Sequence, residues 1–240
     1  MSPDGDMDAV VEVIGRSPRL TARTLQAANR ASFRSGRPAR SLRDASVRLG
    51  VRKLALVAHD ASMAAAYEVP SHRALGAQLW RNATACTRGS AAIARLAAGV
   101  DPYVAQLYAL LHNVGEIAIL SHVCSQPVRG RGEPGFERRL TEVIAAEHVT
   151  VGARVLDEMG APVGVRQFTE CHHDPRRVAQ LGEAARIGQT VMLAWELAHE
   201  AGFSYERHDT GVSVHAMCAA LGITESAARA AFIDAHEGVS

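Results

Sequence analysis

Four histidines in three separate segments of this 240-residue chain could do chemistry together, namely His112, His148, His172 and His173. Imidazole nitrogens bind transition metals well when several histidines converge with carboxylates. Two carboxylates are placed to join them: Glu116 follows His112 by one helical turn, and Asp174 follows His173 directly. These residue types could hold one divalent ion, with Fe, Mn, Ni or Zn as the candidates.

Each of these histidines also has a purely structural explanation. A single inward-facing histidine is more often a hydrogen-bonded core residue than a ligand. His112 lies in the apolar segment LLHNVGEIAIL, and His148 shares a helical face with Val151 and Val155. His172 and His173 precede Pro175, which limits the helix there. Spacing alone therefore predicts histidines inside a helical domain and does not choose between the two explanations.

The segments that carry these histidines read as helices. Apolar residues recur at spacings of three and four, and alternating runs are absent, so the sequence predicts an all-α fold. The clearest helix runs from Asp101 to Leu120, with Asp101 as N-cap and Pro102 at the first position. Other expected helices are Ser71–Ala98, Leu181–His199, Val214–Leu221 and Thr224–His236, with loops at Ser125–Gly135 and Tyr205–Ser213 and a boundary at Gly160–Pro162.

The composition of the chain indicates its cellular location and its possible partners. The acidic N-terminus has no signal-peptide pattern, and no stretch approaches the roughly 20 uncharged apolar residues of a membrane span. We therefore expect a cytoplasmic protein with no membrane partner. Eleven Lys or Arg residues against one acid between Arg16 and Lys53 leave nucleic-acid binding open as a weaker alternative.

Several segments, in order, resemble the HDOD family of the HD superfamily. LLHNVGEIAIL is similar to the superfamily segment LLHDIGxLxL, in which the His-Asp pair holds a metal. LTARTLQAANRASF, SLRDASVRLGVRKLALV, LWRNATACTRGSAAIARLA and EHVTVGARVLDEMGAPVGVRQFTECHHDP each resemble an HDOD pattern. The resemblance covers roughly residues 10–200.

This resemblance implies an HD-like helical core with an N-terminal helical subdomain. We expect an HDOD-type domain over 1–200, divided into a subdomain at about 1–70 and a core at 71–200. Residues 201–240 would form a C-terminal helical extension packed on that core. It also implies a role in bacterial signal transduction, with other signalling proteins as partners.

Two departures from the superfamily pattern bear on activity. Asn82 stands where the first metal histidine would fall, and the His-Asp pair has become His112-Asn113. A neutral amide is a weak ligand, and the lost carboxylate supported metal-activated water. We therefore expect a degenerate metal site, no cofactor and a non-catalytic regulatory domain. The alternatives are a metal-dependent phosphohydrolase that uses the remaining histidines, and a nucleic-acid-binding regulator.

Overall fold

The computed structural model describes residues 3–31, 38–204 and 210–236. Over these residues the chain forms α-helices and short 3-10 turns, with no β-strand, which confirms the predicted all-α fold. The helices are α1 Pro3–Gly15, α2 Pro18–Ala31, α3 Leu42–Tyr67, α4 Arg73–Ala94, α5 Pro102–Leu111, α6 Val114–Ser125, α7 Phe136–Glu158, α8 Val163–Thr169, α9 Pro175–Val178, α10 Ala185–Glu200, α11 Val214–Leu221 and α12 Glu225–Asp234.

The chain separates into two compact units, 1–65 and 66–240. The first unit contains α1, α2 and most of α3, which bends at Gly50, where φ is 70° and ψ is 160°. Asn29 accepts a hydrogen bond from the backbone N–H of Ala39 at 2.7 Å, so its amide has a structural role. The predicted division into 1–70, 71–200 and 201–240 stays a prediction.

The basic stretch belongs to the first unit. Arg48 forms an ion pair with Asp44 at 2.7 Å within α3, and Arg16 forms one with Glu12 at 2.7 Å. Part of the positive charge is therefore neutralised locally. Residues 32–37, which include two of the arginines, lie outside the described residues. Nucleic-acid binding stays a prediction.

Helix α4 is central to the second unit and packs against α5, α10 and α12. Its buried residues are mostly small, which lets neighbouring helices approach closely. Helix α6 packs along α7, and α10 also contacts α5 and α11. The core contains fully buried aliphatic side chains from each of these helices, among them Leu79, Ile93, Leu110, Leu120, Leu156 and Leu193.

The predicted helix from Asp101 to Leu120 is two helices. Asp101 caps α5 as expected, accepting from the N–H groups of Tyr103 and Val104. The backbone leaves the helix at Asn113, where φ is −103° and ψ is 21°, and α6 then begins at Val114. This break places His112 and Asn113 at a junction rather than inside a continuous helix.

The segment Pro102–Ser125 is nevertheless long and apolar enough to cross a membrane by length and composition. The sequence predicted no stretch of roughly 20 uncharged apolar residues, and this segment contains the charged Glu116. In the structure 61% of its most apolar window is buried by the other helices. Packing in the helical core therefore accounts for its hydrophobicity.

The C-terminal helices cover α4 and α10. Thr224 is the N-cap of α12, as predicted, and its hydroxyl accepts from the N–H of Ala227. Phe232 lies directly over Gly89 of α4, where an added Cβ would be 2.5 Å from its ring. Residues 205–209 of the predicted Tyr205–Ser213 loop lie outside the described residues. The Ser125–Gly135 loop is confirmed, since α6 ends at Ser125 and α7 starts at Phe136.

Replacing Phe232 by alanine should destabilise the second unit strongly. Phe232 is 4% exposed, so Phe232→Ala leaves a cavity over Gly89 and should lower the free energy of unfolding by about 3–5 kcal/mol. The neighbouring Ile233 is 53% exposed, and Ile233→Ala should cost less than about 0.5 kcal/mol. Urea unfolding of both variants checks this. Equal losses would contradict the packing of α12 described above.

Candidate metal centre

His148 enters the core from α7. The buried residues of this helix recur every four positions, at Leu140, Ile144, His148, Gly152 and Leu156, so one face of α7 is turned inward. His148 is 2% exposed. The inward orientation predicted from Val151 and Val155 is therefore confirmed for the imidazole itself.

The position of His148 depends on a close approach between α6 and α7. A Cβ added at Gly115 would lie 2.0 Å from the carbonyl oxygen of His148 and 2.7 Å from the N–H nitrogen of Gly152. Only glycine at position 115 lets the two backbones come this close. Gly115 lies in the LLHNVGEIAIL motif, but spacing along the chain gives no signal of this helix crossing.

His172 and His173 lie in the turn that follows α8, which ends at Thr169. His172 is buried at 6% exposure, whereas His173 is partly exposed. Asp174 then caps α9, and its Oδ1 accepts hydrogen bonds from the N–H groups of Arg176 and Arg177 at 3.0 and 3.2 Å. The carboxylate beside the two histidines is thus engaged in starting the next helix.

The structure brings three of the four histidines together. Nε2 of His148 lies 3.3 Å from Nε2 of His172 and 2.9 Å from Nε2 of His173. The ligand atoms of the three residues all lie within 4.8 Å of one another. We call this group the histidine centre. Among the described residues it contains no carboxylate and no thiol.

Backbone carbonyls fix the tautomers of two members of the centre. Nδ1 of His148 lies 3.0 Å from the oxygens of both Ile144 and Ala145, and Nδ1 of His172 lies 2.8 Å from the oxygen of Thr169. A carbonyl oxygen only accepts hydrogen bonds, so each Nδ1 carries the hydrogen. In the neutral imidazoles both Nε2 atoms then present lone pairs to the centre.

Two facing lone pairs at 3.3 Å repel each other, so the pair is favoured when a cation lies between the two nitrogens. A metal ion satisfies this requirement, since nitrogens bound to one ion at about 2.1 Å are roughly 3.0–3.4 Å apart. A backbone carbonyl on the other ring nitrogen is also the usual support of a metal-bound histidine. The histidine centre therefore fits a divalent metal ion.

His112 is adjacent to the histidine centre but not part of it. Its ring meets that of His172 edge-on, with centroids 5.1 Å apart. Its Nδ1 lies 2.8 Å from the carbonyl oxygen of Ala109, and its buried Nε2 has no hydrogen-bond partner among the described residues. The side-chain oxygen of Asn113 is likewise buried without a partner.

Asn82 of α4 and Glu116 of α6 are both buried, and each lies near Cys86 of α4. Asn82 Oδ1 accepts from the thiol of Cys86 at 3.6 Å. Burial, followed by the charge of Glu116, raises the pKa of both Cys86 and Tyr67. Glu116 therefore lies near these two residues, and its carboxylate is not among the ligand atoms of the histidine centre.

Trp195 of α10 lies beside the histidine centre. It is 8% exposed, and its ring meets that of His173 edge-on at 6.2 Å between centroids. On its other side it stacks with His199 at 6.0 Å. The apolar periodicity of α10 predicts that Trp195 is buried, but it does not predict the contact with His173.

Burial keeps the nearby imidazoles uncharged. Desolvation lowers the pKa of His112 to about 4, opposed by its bond to Ala109 and assisted by His148. Desolvation, followed by His173 and His112, holds the pKa of His172 well below its usual range. Both are therefore neutral near pH 7, as an imidazole must be to donate a lone pair.

The metal-free protein should lose stability as the pH falls below about 6.5. Below that pH His112 becomes protonated in the unfolded chain, whereas in the folded chain its pKa is about 4. The free energy of unfolding therefore falls by up to about 1.4 kcal/mol per pH unit between these two values. Urea unfolding in the presence of chelator at pH 7, 6 and 5 gives the free energy of unfolding at each pH. This free energy should fall less steeply with decreasing pH for His112→Gln than for the wild type. His215→Gln, at an 83% exposed side chain, is the control. Equal slopes for wild type and His112→Gln would contradict this.

Solved structures share this fold. An HDOD domain protein of unknown function from Geobacter sulfurreducens is 21% identical, with a TM-score of 0.67, covering 99% of this chain and 84% of that one. A protein described as a signal-transduction protein from Marinobacter aquaeolei VT8 is 19% identical, with a TM-score of 0.62, covering 94% of this chain and 51% of that one. A protein described as a metal-dependent phosphohydrolase from Shewanella amazonensis SB2B is 16% identical, with a TM-score of 0.56, covering 96% and 86%.

No curated protein matches the chain significantly. At these identities the solved structures establish the fold alone. The family model of the HDOD domain matches residues 1–175, which is well over half of the sequence. The resemblance found in the ordered motifs is thereby confirmed, and the chain belongs to the HDOD family.

Proposed function

We propose that this HDOD domain is a non-catalytic regulatory module of bacterial signal transduction, working in the cytoplasm through contacts with other signalling proteins. The observation that carries the proposal is the composition of the histidine centre, which has three imidazoles and no carboxylate among the described residues. A structural neighbour described as a signal-transduction protein supports it at the level of the fold.

The residues around the histidine centre are poorly suited to hydrolysis. General-base catalysis needs a group with a pKa near the working pH. The amide of Asn113 cannot accept a proton at neutral pH, and a pKa of about 4 makes the imidazole of His112 a weak base. Asp174 holds the start of α9 through its Oδ1. These three groups are therefore poor candidates for activating a water molecule.

His148, His172 and His173 would hold a divalent ion, and such an ion would supply Lewis acidity and a link between α7 and the turn after α8. The chain's own residues orient the three imidazoles and keep them neutral. Because the centre has no carboxylate among the described residues, this arrangement favours a structural or regulatory ion. Binding would order the segment that ends in His173, which is partly exposed.

The alternative is a metal-dependent phosphohydrolase that works with the three histidines. The convergence of their Nε2 atoms favours it, as does the fold shared with a protein described as such an enzyme. What separates the two proposals is turnover, because both accept a bound ion.

A hydrolysis assay tests the choice. Untagged protein loaded with Zn²⁺, Fe²⁺, Ni²⁺ or Mn²⁺ should hydrolyse bis-p-nitrophenyl phosphate and cyclic dinucleotides no faster than the metal buffer alone. A superfamily member with an intact His-Asp pair serves as the positive control. Turnover above background that His148→Gln abolishes, while His122→Gln at an exposed position retains it, would establish the phosphohydrolase instead.

The contact with other proteins needs its own test. Crosslinking in cells that make the protein should capture signalling proteins reproducibly, and the leading candidate should bind directly when both are purified. A dissociation constant of about 1 μM or tighter, or about −8 kcal/mol, would support a specific contact. If no captured protein binds directly, the regulatory proposal loses its mechanism.

A further inference from the structure

The donor atoms of the histidine centre restrict which ion it can take. Neutral imidazole nitrogens suit Zn²⁺, Ni²⁺, Cu²⁺ and Fe²⁺, whereas Mg²⁺ and Ca²⁺ require oxygen ligands, usually carboxylates. Mn²⁺ is the weakest binder of the first-row divalent ions at nitrogen sites. The nitrogen donors of the histidine centre therefore favour some divalent ions over others.

We propose that the centre formed by His148, His172 and His173 is selective for a borderline transition ion such as Zn²⁺, Co²⁺ or Ni²⁺, and rejects Mg²⁺, Ca²⁺ and Mn²⁺. The proposal takes the metal centre of the proposed function one step further, to the class of ion. It rests on three observations: the separations of the nitrogens, the fixed tautomers and the positions of the nearby carboxylates.

The separations and tautomers prepare the centre for a small ion with nitrogen ligands. The Nε2 distances of 2.9 and 3.3 Å from His148 agree with neighbouring ligands around one ion at about 2.1 Å. Because Nδ1 of His148 and of His172 faces a carbonyl oxygen, the lone pairs are oriented before an ion arrives. The binding free energy then need not cover reorientation of these rings.

The carboxylates that a hard ion would require lie elsewhere. Asp174 Oδ1 accepts the N–H groups of Arg176 and Arg177, and Glu116 lies by Tyr67 and Cys86. Positions 82 and 113, where the superfamily pattern has a histidine and an aspartate, carry asparagines. A divalent ion in the centre therefore gains nitrogen ligation but no charge compensation from these side chains, which penalises hard ions most.

Trp195 makes the selectivity measurable without any activity. Its ring lies 6.2 Å from that of His173, so a paramagnetic ion bound by His173 should quench its fluorescence. The chain has two tryptophans, and the other, Trp80, packs against Tyr67 at 5.5 Å between centroids. Trp80→Phe leaves Trp195 as the sole reporter.

The experiment is a competition titration of untagged, metal-free Trp80→Phe protein. Ni²⁺ or Co²⁺ should quench Trp195 saturably at one equivalent, and Zn²⁺ should reverse the quenching. Mg²⁺ and Ca²⁺ in about hundredfold excess should not compete, and Mn²⁺ should bind at least about a hundredfold more weakly than Zn²⁺. Competition by Mg²⁺ or Mn²⁺ at concentrations comparable with Zn²⁺, or no saturable binding of any ion, would overturn the proposal.

Two substitutions keep the result specific to the centre. His173→Gln, at the partly exposed member, should abolish quenching while circular dichroism shows an intact helical fold. His122→Gln, at an exposed histidine outside the centre, should leave the titration unchanged. Loss of quenching in His122→Gln, or its retention in His173→Gln, would place the ion elsewhere and refute the assignment.

The outcome separates this proposal from the proposed function. Turnover with Zn²⁺ bound at the centre would refute the non-catalytic function and leave the selectivity standing. Equal affinity for Mn²⁺ and Zn²⁺ without turnover would refute the selectivity and leave the non-catalytic function standing.

Discussion

Backbone carbonyl groups determine which nitrogen each buried histidine presents to the interior. The oxygens of Ile144 and Thr169 hold Nδ1 of His148 and His172, and the oxygen of Ala109 holds Nδ1 of His112. Each ring is thereby committed to one tautomer and points its Nε2 lone pair inward. The metal centre proposed at His148, His172 and His173 follows from this constraint, because converging lone pairs favour a bound cation.

Close packing of the helices brings those carbonyl groups and rings together. Gly115 lets α6 approach the His148 turn of α7 at backbone contact, and Gly152 completes the crossing. The break at Asn113 turns His112 toward His172 at the end of α5. The glycines at the α6–α7 crossing and the break between α5 and α6 thus both bring histidine rings close to one another.

The sequence allowed the fold to be predicted in some detail and the site only in part. Periodicity, the cap at Asp101 and the glycine-rich loop predicted helices that the structure confirms. Apolar periodicity does not reveal the break at His112-Asn113, because it continues through the break to Leu120, although Asn113 and Gly115 have low helix propensity. Convergence of His148 with His172 and His173, and the exclusion of His112 and Glu116, depend on distances between helices that spacing along the chain does not encode.

We propose that this HDOD domain uses the three-imidazole centre of His148, His172 and His173 for regulation. This requires that the centre holds an ion, and the metal content of the purified protein tests that most directly. Elemental mass spectrometry of untagged protein, purified without chelator and incubated with Zn²⁺, should find about one equivalent, lost in His148→Gln. Folded wild-type protein that retains no metal would contradict the claim.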